Sequence, residues 1–310
     1  MTLFHQLASC LPLVVAALPL PAALVMGLGG NRQSARWSGT GLLAVAMFLS
    51  WYLLGLTHQG LTWQQSFTWL PLPGSALSHS LRLGIRVDFM AAVMTSLTTT
   101  IGFLVHIYAL AYLKAAHRRY AVLTGTFVSV MLAFWMADNL LGRFIGWELM
   151  GWGSYLLIGF WYQKTDATRR STKVWLINQA GSISLLIGIL LIGSELGTWN
   201  LVELSEMSSL ALDHHPWLGV ARFCLVAGLS TKSAQFPWFS WLSSAMKAPT
   251  PVSALIHSAT LVGAGVYWLA GLGPILGPTI LTGIAYLGAL TALMGAYAAL
   301  TQQHVKQVLA

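Results

Sequence analysis

Three ionisable residues stand in stretches of sequence that offer them almost no polar company. Lys232 lies in an apolar run from Leu225 to Trp241 and opens Lys232-Ser-Ala-Gln-Phe-Pro237. Glu148 sits in Gly146-Trp-Glu-Leu-Met-Gly-Trp-Gly-Ser-Tyr-Leu-Leu-Ile-Gly159, with no other charge between Arg143 and Lys164. His257 ends Ala248-Pro-Thr-Pro251-Val-Ser-Ala-Leu-Ile-His257. Amine, carboxyl and imidazole are the groups that take up and release protons. A charged side chain at membrane depth costs roughly 2.5–3.5 kcal/mol or more, so each reads first as a functional residue.

Each also has a blander reading. Lys232 could snorkel, but about ten residues separate it from either end of its span, roughly 15 Å at 1.5 Å per residue, which exceeds comfortable reach. Glu148 could be a neutral acid bonded to a backbone carbonyl; protonated, paired or hydrated, it can exchange protons. Gly142, Gly146, Gly151 and Gly153 around it allow close helix packing and leave room for water. His257 alone would pass for a packing residue, and the lysine nearby favours a relay. His106 has no such neighbour and is assigned to packing. Asp88 and Asp138, at span ends, are expected as caps or solvated termini. Lys232 is the natural partner for Glu148. Ser230, Thr231 and Ser233 beside it can satisfy backbone groups where Pro237 removes a donor, as in a discontinuous membrane helix.

The elements that must position these groups follow from composition. Only 8% of the 310 residues are Asp, Glu, Lys or Arg while 56% are apolar, so most of the chain cannot face water. Apolar runs recur at the length that crosses about 30 Å of hydrocarbon, and their lengths and Leu/Ala/Gly content suit helices rather than barrel strands. About nine spans are expected, near 9–28, 40–57, 89–113, 120–137, 140–162, 174–194, 218–242, 250–272 and 278–300. The fold class is therefore an all-α polytopic membrane protein. The net charge of +8 is a topology signal and not a nucleic-acid footprint. Arg32 and Arg36, then Lys114, Arg118 and Arg119, then Lys164, Arg169, Arg170 and Lys173 mark cytoplasmic connections. Glu195, Glu203, Glu206 and Asp213, with Arg82 and Arg86 in 58–88, mark outward ones. The N-terminus is placed outside. No Lys or Arg precedes Arg32, so the first span lacks the n-region of a cleavable signal and is expected to be retained.

In the outward 58–88 segment, Leu81-Arg-Leu83-Gly-Ile85-Arg-Val87 alternates like a strand and Pro71 and Pro73 mark a turn, which predicts a small hairpin. Trp63 and Trp69 suit interfacial anchors. Cys10 and Cys224, the only cysteines, support neither a disulfide framework nor a metal site. Phosphate-binding, dinucleotide-binding and zinc-protease motifs are absent from the sequence, so no covalent chemistry is expected in this chain.

Arg86-Val-Asp88, Ala137-Asp-Asn-Leu140, Gly146-Trp-Glu148, Ser154-Tyr-Leu-Leu-Ile-Gly159, Lys232-Ser-Ala-Gln-Phe-Pro237, Ala248 to His257 and Val305-Lys-Gln-Val-Leu-Ala310 occur in order over residues 86–310. Together they resemble the antiporter-like membrane subunits of respiratory complex I (NADH:quinone oxidoreductase), above all the subunit L or chain 5 type. Thr231-Lys-Ser-Ala-Gln-Phe-Pro237 resembles Mrp-type Na⁺/H⁺ antiporters at least as closely. The resemblance implies a proton pathway. Glu148 corresponds to an intramembrane glutamate and Lys232 to a lysine in a broken helix, a pair whose making and breaking moves protons; His257 corresponds to a central-axis histidine and Lys306 to a lysine after the ninth helix. It implies no cofactor in this chain, protons or Na⁺ as cargo, the lipid bilayer and other membrane subunits as partners, no nucleic acid, and a bacterial-type inner membrane. It also implies an inverted five-helix repeat, with 1–119 as N-terminal helices, 120–272 as the first repeat and 273–310 as the start of a second that breaks off. An acidic residue of many subunit L proteins is here Ser182, in Gln179-Ala-Gly181-Ser182. Two other expectations stand beside proton pumping: an ion-coupled inorganic-carbon uptake subunit, and a non-conducting scaffold.

Overall fold

The computed structural model describes residues 2–29, 32–70, 81–113, 117–207, 215–246, 248–258 and 260–309. Lys114, Asp213, Pro71, Pro73 and Ala310, all used in the sequence reading, lie outside the described residues. The chain runs α1 (Thr2–Ala17), α2 (Pro19–Leu28), α3 (Gln33–His58), β1 (Trp63–Leu70), β2 (Leu81–Val87), α4 (Phe89–Tyr112), α5 (His117–Met136), α6 (Leu140–Ile158), α7 (Thr165–Leu196), α8 (Leu201–Glu206), α9 (Leu218–Lys232), α10 (Ser240–Ala245), α11 (Thr250–Ser258), α12 (Leu261–Leu300) and α13 (Val305–Val308).

Among the described residues, seven helical stretches are long and apolar enough to cross a membrane: Cys10–Leu28, Gln33–His58, Phe89–Tyr112, His117–Met136, Thr165–Leu196, Thr250–Leu276 and Pro278–Leu300. The other two expected spans are present in altered form. α6 carries Arg143 and Glu148, and 218–242 is divided, because α9 stops after 15 residues at Lys232 and α10 resumes at Ser240. The eighth span holds a second break that was not anticipated, between Ser258 and Leu261. The boundary expected before the ninth span falls at Gly277, whose φ of 77° and ψ of 160° interrupt α12 between Pro274 and Pro278.

Side-chain caps start the helices that border the site. Asp88 accepts from the Ala91 amide at 2.9 Å, as expected of a cap, and Asn139 accepts from Gly142 at 2.6 Å. α7 ends at Gly197, which takes a left-handed φ of 71°. α7 and α9 form the most extensive helix pair, with α6 against α7 and α12 against α9.

The expected hairpin is present. β1 pairs antiparallel with β2 in the register Trp63↔Val87 to Thr68↔Arg82, which places Trp63 and Trp69 on a strand of the hairpin. The hairpin closes one end of the bundle, where Ile85 bridges Ala137 and Asn139 bridges Asn200. At the other end Arg119 donates to the Phe160 carbonyl at 3.0 Å and lies 4.3 Å over the Tyr162 ring, joining two of the basic connections.

Asp138 corrects the sequence reading. It is neither a cap nor solvated, because β2 crosses over it: its amide donates to the Gly84 carbonyl at 3.2 Å, and the side chain is 1% exposed with Asn139 Nδ2 2.7 Å from Oδ1. A Cβ at position 84 would collide with the Asp138 carboxyl, so glycine is required there. Burial pushes this carboxyl above the usual aspartate range, with the Asn139 hydrogen bond opposing. The folded chain then keeps the proton to higher pH than the unfolded one. Stability from Asp138 is therefore greatest below the ordinary aspartate pKa and falls as pH rises through the raised one. Asp138→Asn removes that dependence: its melting temperature should rise relative to that of the unsubstituted protein between acidic and neutral pH. A difference constant with pH would contradict this.

Candidate functional site

α9 carries Lys232 as its last residue, and the hydroxyls around it tie off the helix end. Ser230 donates to the Val226 carbonyl at 2.6 Å, Thr231 to Gly228 at 2.8 Å and Ser233 to Leu229 at 3.0 Å. These bonds serve the last carbonyls of α9 rather than groups freed at Pro237 itself. Ala234 then adopts a positive φ of 53°, the Gln235 amide returns to the Ser230 carbonyl at 3.0 Å, and the Phe236 amide is taken by the Thr291 hydroxyl of α12 at 3.0 Å. The amides of Ser233, Ala234, Gln235, Phe236 and Trp238 are thus answered within the protein, as a break at membrane depth requires, and the chain emerges to exposure only at Pro237 and Trp238.

Lys232 is 1% exposed. Its Nζ donates to the Trp147 carbonyl of α6 and lies 4.2 Å from the centroid of the Trp147 ring. The carbonyl accepts from the amine in either protonation state, and the π face adds attraction when the amine is charged. Trp147 is fixed in turn. It is fully buried, its Nε1 donates to Ser182 on α7 at 3.1 Å, and it packs edge-to-face with Trp268 at 5.6 Å. Ser182, standing where an acidic residue was expected, is therefore the support of the lysine's aromatic wall.

Glu148 is half-buried on the next position of α6, and its Oε1 is buried without a hydrogen-bond partner among the described residues. It forms no ion pair with Lys232 within 4.0 Å; ion pairs among the described residues include Arg86–Asp88, Arg170–Asp166 and His215–Glu195. The structure brings Lys232 to the residue before Glu148, with the pair separated.

On the far side of the break stands Trp241 of α10. Its Nε1 donates to the Thr231 carbonyl at 2.7 Å, and its ring stacks on His257 with centroids 6.2 Å apart and planes at 29°. Both ring nitrogens of His257 are buried and without a hydrogen-bond partner among the described residues. Lys306, on α13, donates to the Ala248 carbonyl at 2.7 Å and acts electrostatically on His257. Lys232 thus meets the residue before Glu148, and the Trp241 indole lies between the backbone of Thr231 and the His257 ring. A cavity of about 210 Å³ beside the break, bordered by Ser230, Ser233 and Gln235 on an otherwise apolar lining, has room for several waters at ~30 Å³ each. His106 behaves as expected of a packing residue. It is fully buried, with Nδ1 2.7 Å from the Gly102 carbonyl and Nε2 2.9 Å from the Thr124 hydroxyl.

Two buried cations escaped the sequence reading. Arg143 of α6 donates to the Ala137 carbonyl at 3.2 Å and lies 4.8 Å over the Tyr267 ring. Arg222 of α9 donates to the Ile275 carbonyl at 2.6 Å, just before the kink in α12. The signal that exposed Lys232, a charge inside an apolar span, was available for both. Trp147 and Trp241 carried no comparable signal, since one works through its backbone carbonyl and both resemble ordinary core aromatics.

The fold and the site together define a polytopic helical membrane protein with a discontinuous helix that ends on a buried lysine. The model of the NADH:quinone oxidoreductase/Mrp antiporter transmembrane family matches residues 137–310, and that of the N-terminus of NADH-ubiquinone oxidoreductase (complex I) chain 5 matches residues 69–122. The chain belongs to this family. NADH-quinone oxidoreductase subunit L of Mycobacterium tuberculosis is 35% identical over 311 aligned residues, covering 96% of this chain and 48% of that protein. The chloroplastic NAD(P)H-quinone oxidoreductase subunit 5 of Cryptomeria japonica is 37% identical over 315, covering 96% and 42%. Among solved structures, a chain of the Mrp complex from Dietzia sp. DQ12-45-1b superposes with a TM-score of 0.80 at 27% identity, covering 96% of this chain and 32% of that one. This chain therefore spans less than half the length of these relatives.

Proposed function

We propose that this chain is a proton-translocating, antiporter-like membrane subunit of an NADH:quinone oxidoreductase type of assembly, working beside other membrane subunits. Glu148, Lys232, His257 and Lys306 are its proton pathway. One observation carries the reading: a fully buried amine at a helix break, held by the carbonyl and indole of Trp147, with the half-buried carboxyl of the next residue, Glu148, out of ion-pair contact. When Glu148 closes on Lys232, each stabilises the other's charge; when they part, the ammonium loses its countercharge and the neutral amine is favoured. The proton then leaves past Trp241 toward His257 and Lys306. No step requires a cofactor. The span 120–272 is the repeat that houses this switch, in an inner membrane of bacterial type with the N-terminus outside.

The similarity to a chain of an Mrp complex favours one other reading, Na⁺/H⁺ exchange. Both are tested in vesicles containing the native assembly isolated through a tag on this chain, with a pH-sensitive dye inside. Proton movement driven by NADH and quinone in sodium-free buffer supports the redox-driven reading. Proton movement that appears only with a Na⁺ gradient supports exchange. Absence of proton movement under both conditions overturns both.

A further inference from the structure

A second site stands at the basic end of α7, away from the lysine. Arg169 and Lys173, one turn apart, border an open cavity of about 700 Å³ together with Tyr162, Thr165 and Thr172. The charge around them is uneven. Asp166 pairs with Arg170 at 2.9 Å on the neighbouring face, whereas Arg169 and Lys173 form no ion pair among the described residues. The Thr168 hydroxyl donates to the Tyr162 carbonyl at 3.1 Å, which ties the α6–α7 connection to the first turn of α7 beside this open surface cavity. Two cations, hydroxyls and an amphipathic phenol at a membrane helix end suit a phosphodiester at headgroup level.

The surface below the cations identifies the ligand. Leu176, at the cavity floor, is 56% exposed, and along α7 Ile183 is 63% and Ile187 46% exposed. Positions 169, 173, 176, 180, 183 and 187 advance by four and three residues in turn, so cations and apolar side chains share one stripe of the helix. From Leu176 to Ile187 is roughly 16 Å at 1.5 Å per residue, close to the half-thickness of a hydrocarbon core of about 30 Å. A free phosphate would use the top of this stripe and leave the rest unused.

We propose that Arg169 and Lys173, with Tyr162 and the threonine hydroxyls, bind the headgroup of an anionic phospholipid whose acyl chain lies along Leu176, Ile183 and Ile187. Each cation near a membrane surface favours anionic lipid severalfold, so two give a preference of roughly ten- to thirtyfold over a zwitterionic lipid.

The test is native mass spectrometry of the chain in its detergent-isolated assembly, supplied with phosphatidylglycerol and phosphatidylcholine of identical acyl composition. Phosphatidylglycerol should be retained preferentially, the R169Q/K173Q variant should lose the preference, and R32Q/R82Q, which lowers the net charge equally, should keep it. sn-Glycerol 3-phosphate in excess should not displace the lipid. The proposal is overturned by equal preference in R169Q/K173Q, by equal loss in R32Q/R82Q, or by displacement with the free phosphate ester. It is also overturned if neither lipid is retained because a protein subunit covers the stripe.

Discussion

Lys232→Met should leave the protein folded and assembled while its ion flux drops to the level of empty vesicles. The side chain is 1% exposed, and its amine rests on the Trp147 carbonyl and ring with no carboxylate within 4.0 Å. Methionine has a similar shape, and removing a buried amine that has no ion-pair partner also removes the cost of desolvating it, so no loss of stability is expected. The one group left behind, the Trp147 carbonyl, lies inside a helix and retains its backbone environment. A purely structural lysine would give the opposite outcome, a loss of stability with flux scaled to the amount of folded protein. Melting temperature and proton uptake measured on the same preparation separate the two.

Gly228→Ala is expected to do the reverse and damage stability first. A Cβ on Gly228 would stand 2.6 Å from Leu185 Cβ, 2.7 Å from the Gly181 carbonyl and 2.8 Å from the Leu185 amide nitrogen. Two of these atoms are backbone of α7, so no rotamer change relieves the contact and the two helices must separate. Overpacking of this kind costs about 1–3 kcal/mol. It falls one turn before Lys232, where Thr231 donates to the Gly228 carbonyl, so flux should decline along with the melting temperature. Gly283→Ala, on the second half of α12, meets nothing within 4 Å and serves as the control, which should melt no lower than the unsubstituted protein because Ala is the better helix former. Equal melting of both variants would contradict the packing account.

The contrast between these two positions shows what could be read from sequence. Lys232 announces itself as a charge in an apolar run, and Pro237 with the serines around it marks the break. Asp88, one residue before a helical run, is a legible cap, and the alternation of Leu81 to Val87 is a legible strand. What escaped depends on side chains or backbone meeting across the fold. Asp138 looked like a helix end because nothing near it in sequence says that Gly84 will cross over it. Glu148 and Lys232 looked like a contact pair because opposite charges attract. The axial offset of α9 against α6 instead delivers the amine to the carbonyl of residue 147. A backbone carbonyl has no letter of its own, so that partner could not be named in advance. The second break, seen in the non-helical backbone of Thr260 before α12, has no proline or glycine beside it to mark it.

The central claim is that Lys232 and Glu148 act together as a protonic switch although they are apart in this structure. Proton uptake per electron, measured in vesicles holding the native assembly, with Lys232→Met and Glu148→Gln side by side, tests it most directly. The account predicts background uptake in both variants, with this chain present in the assembly at normal amount. Full uptake in either one would contradict it.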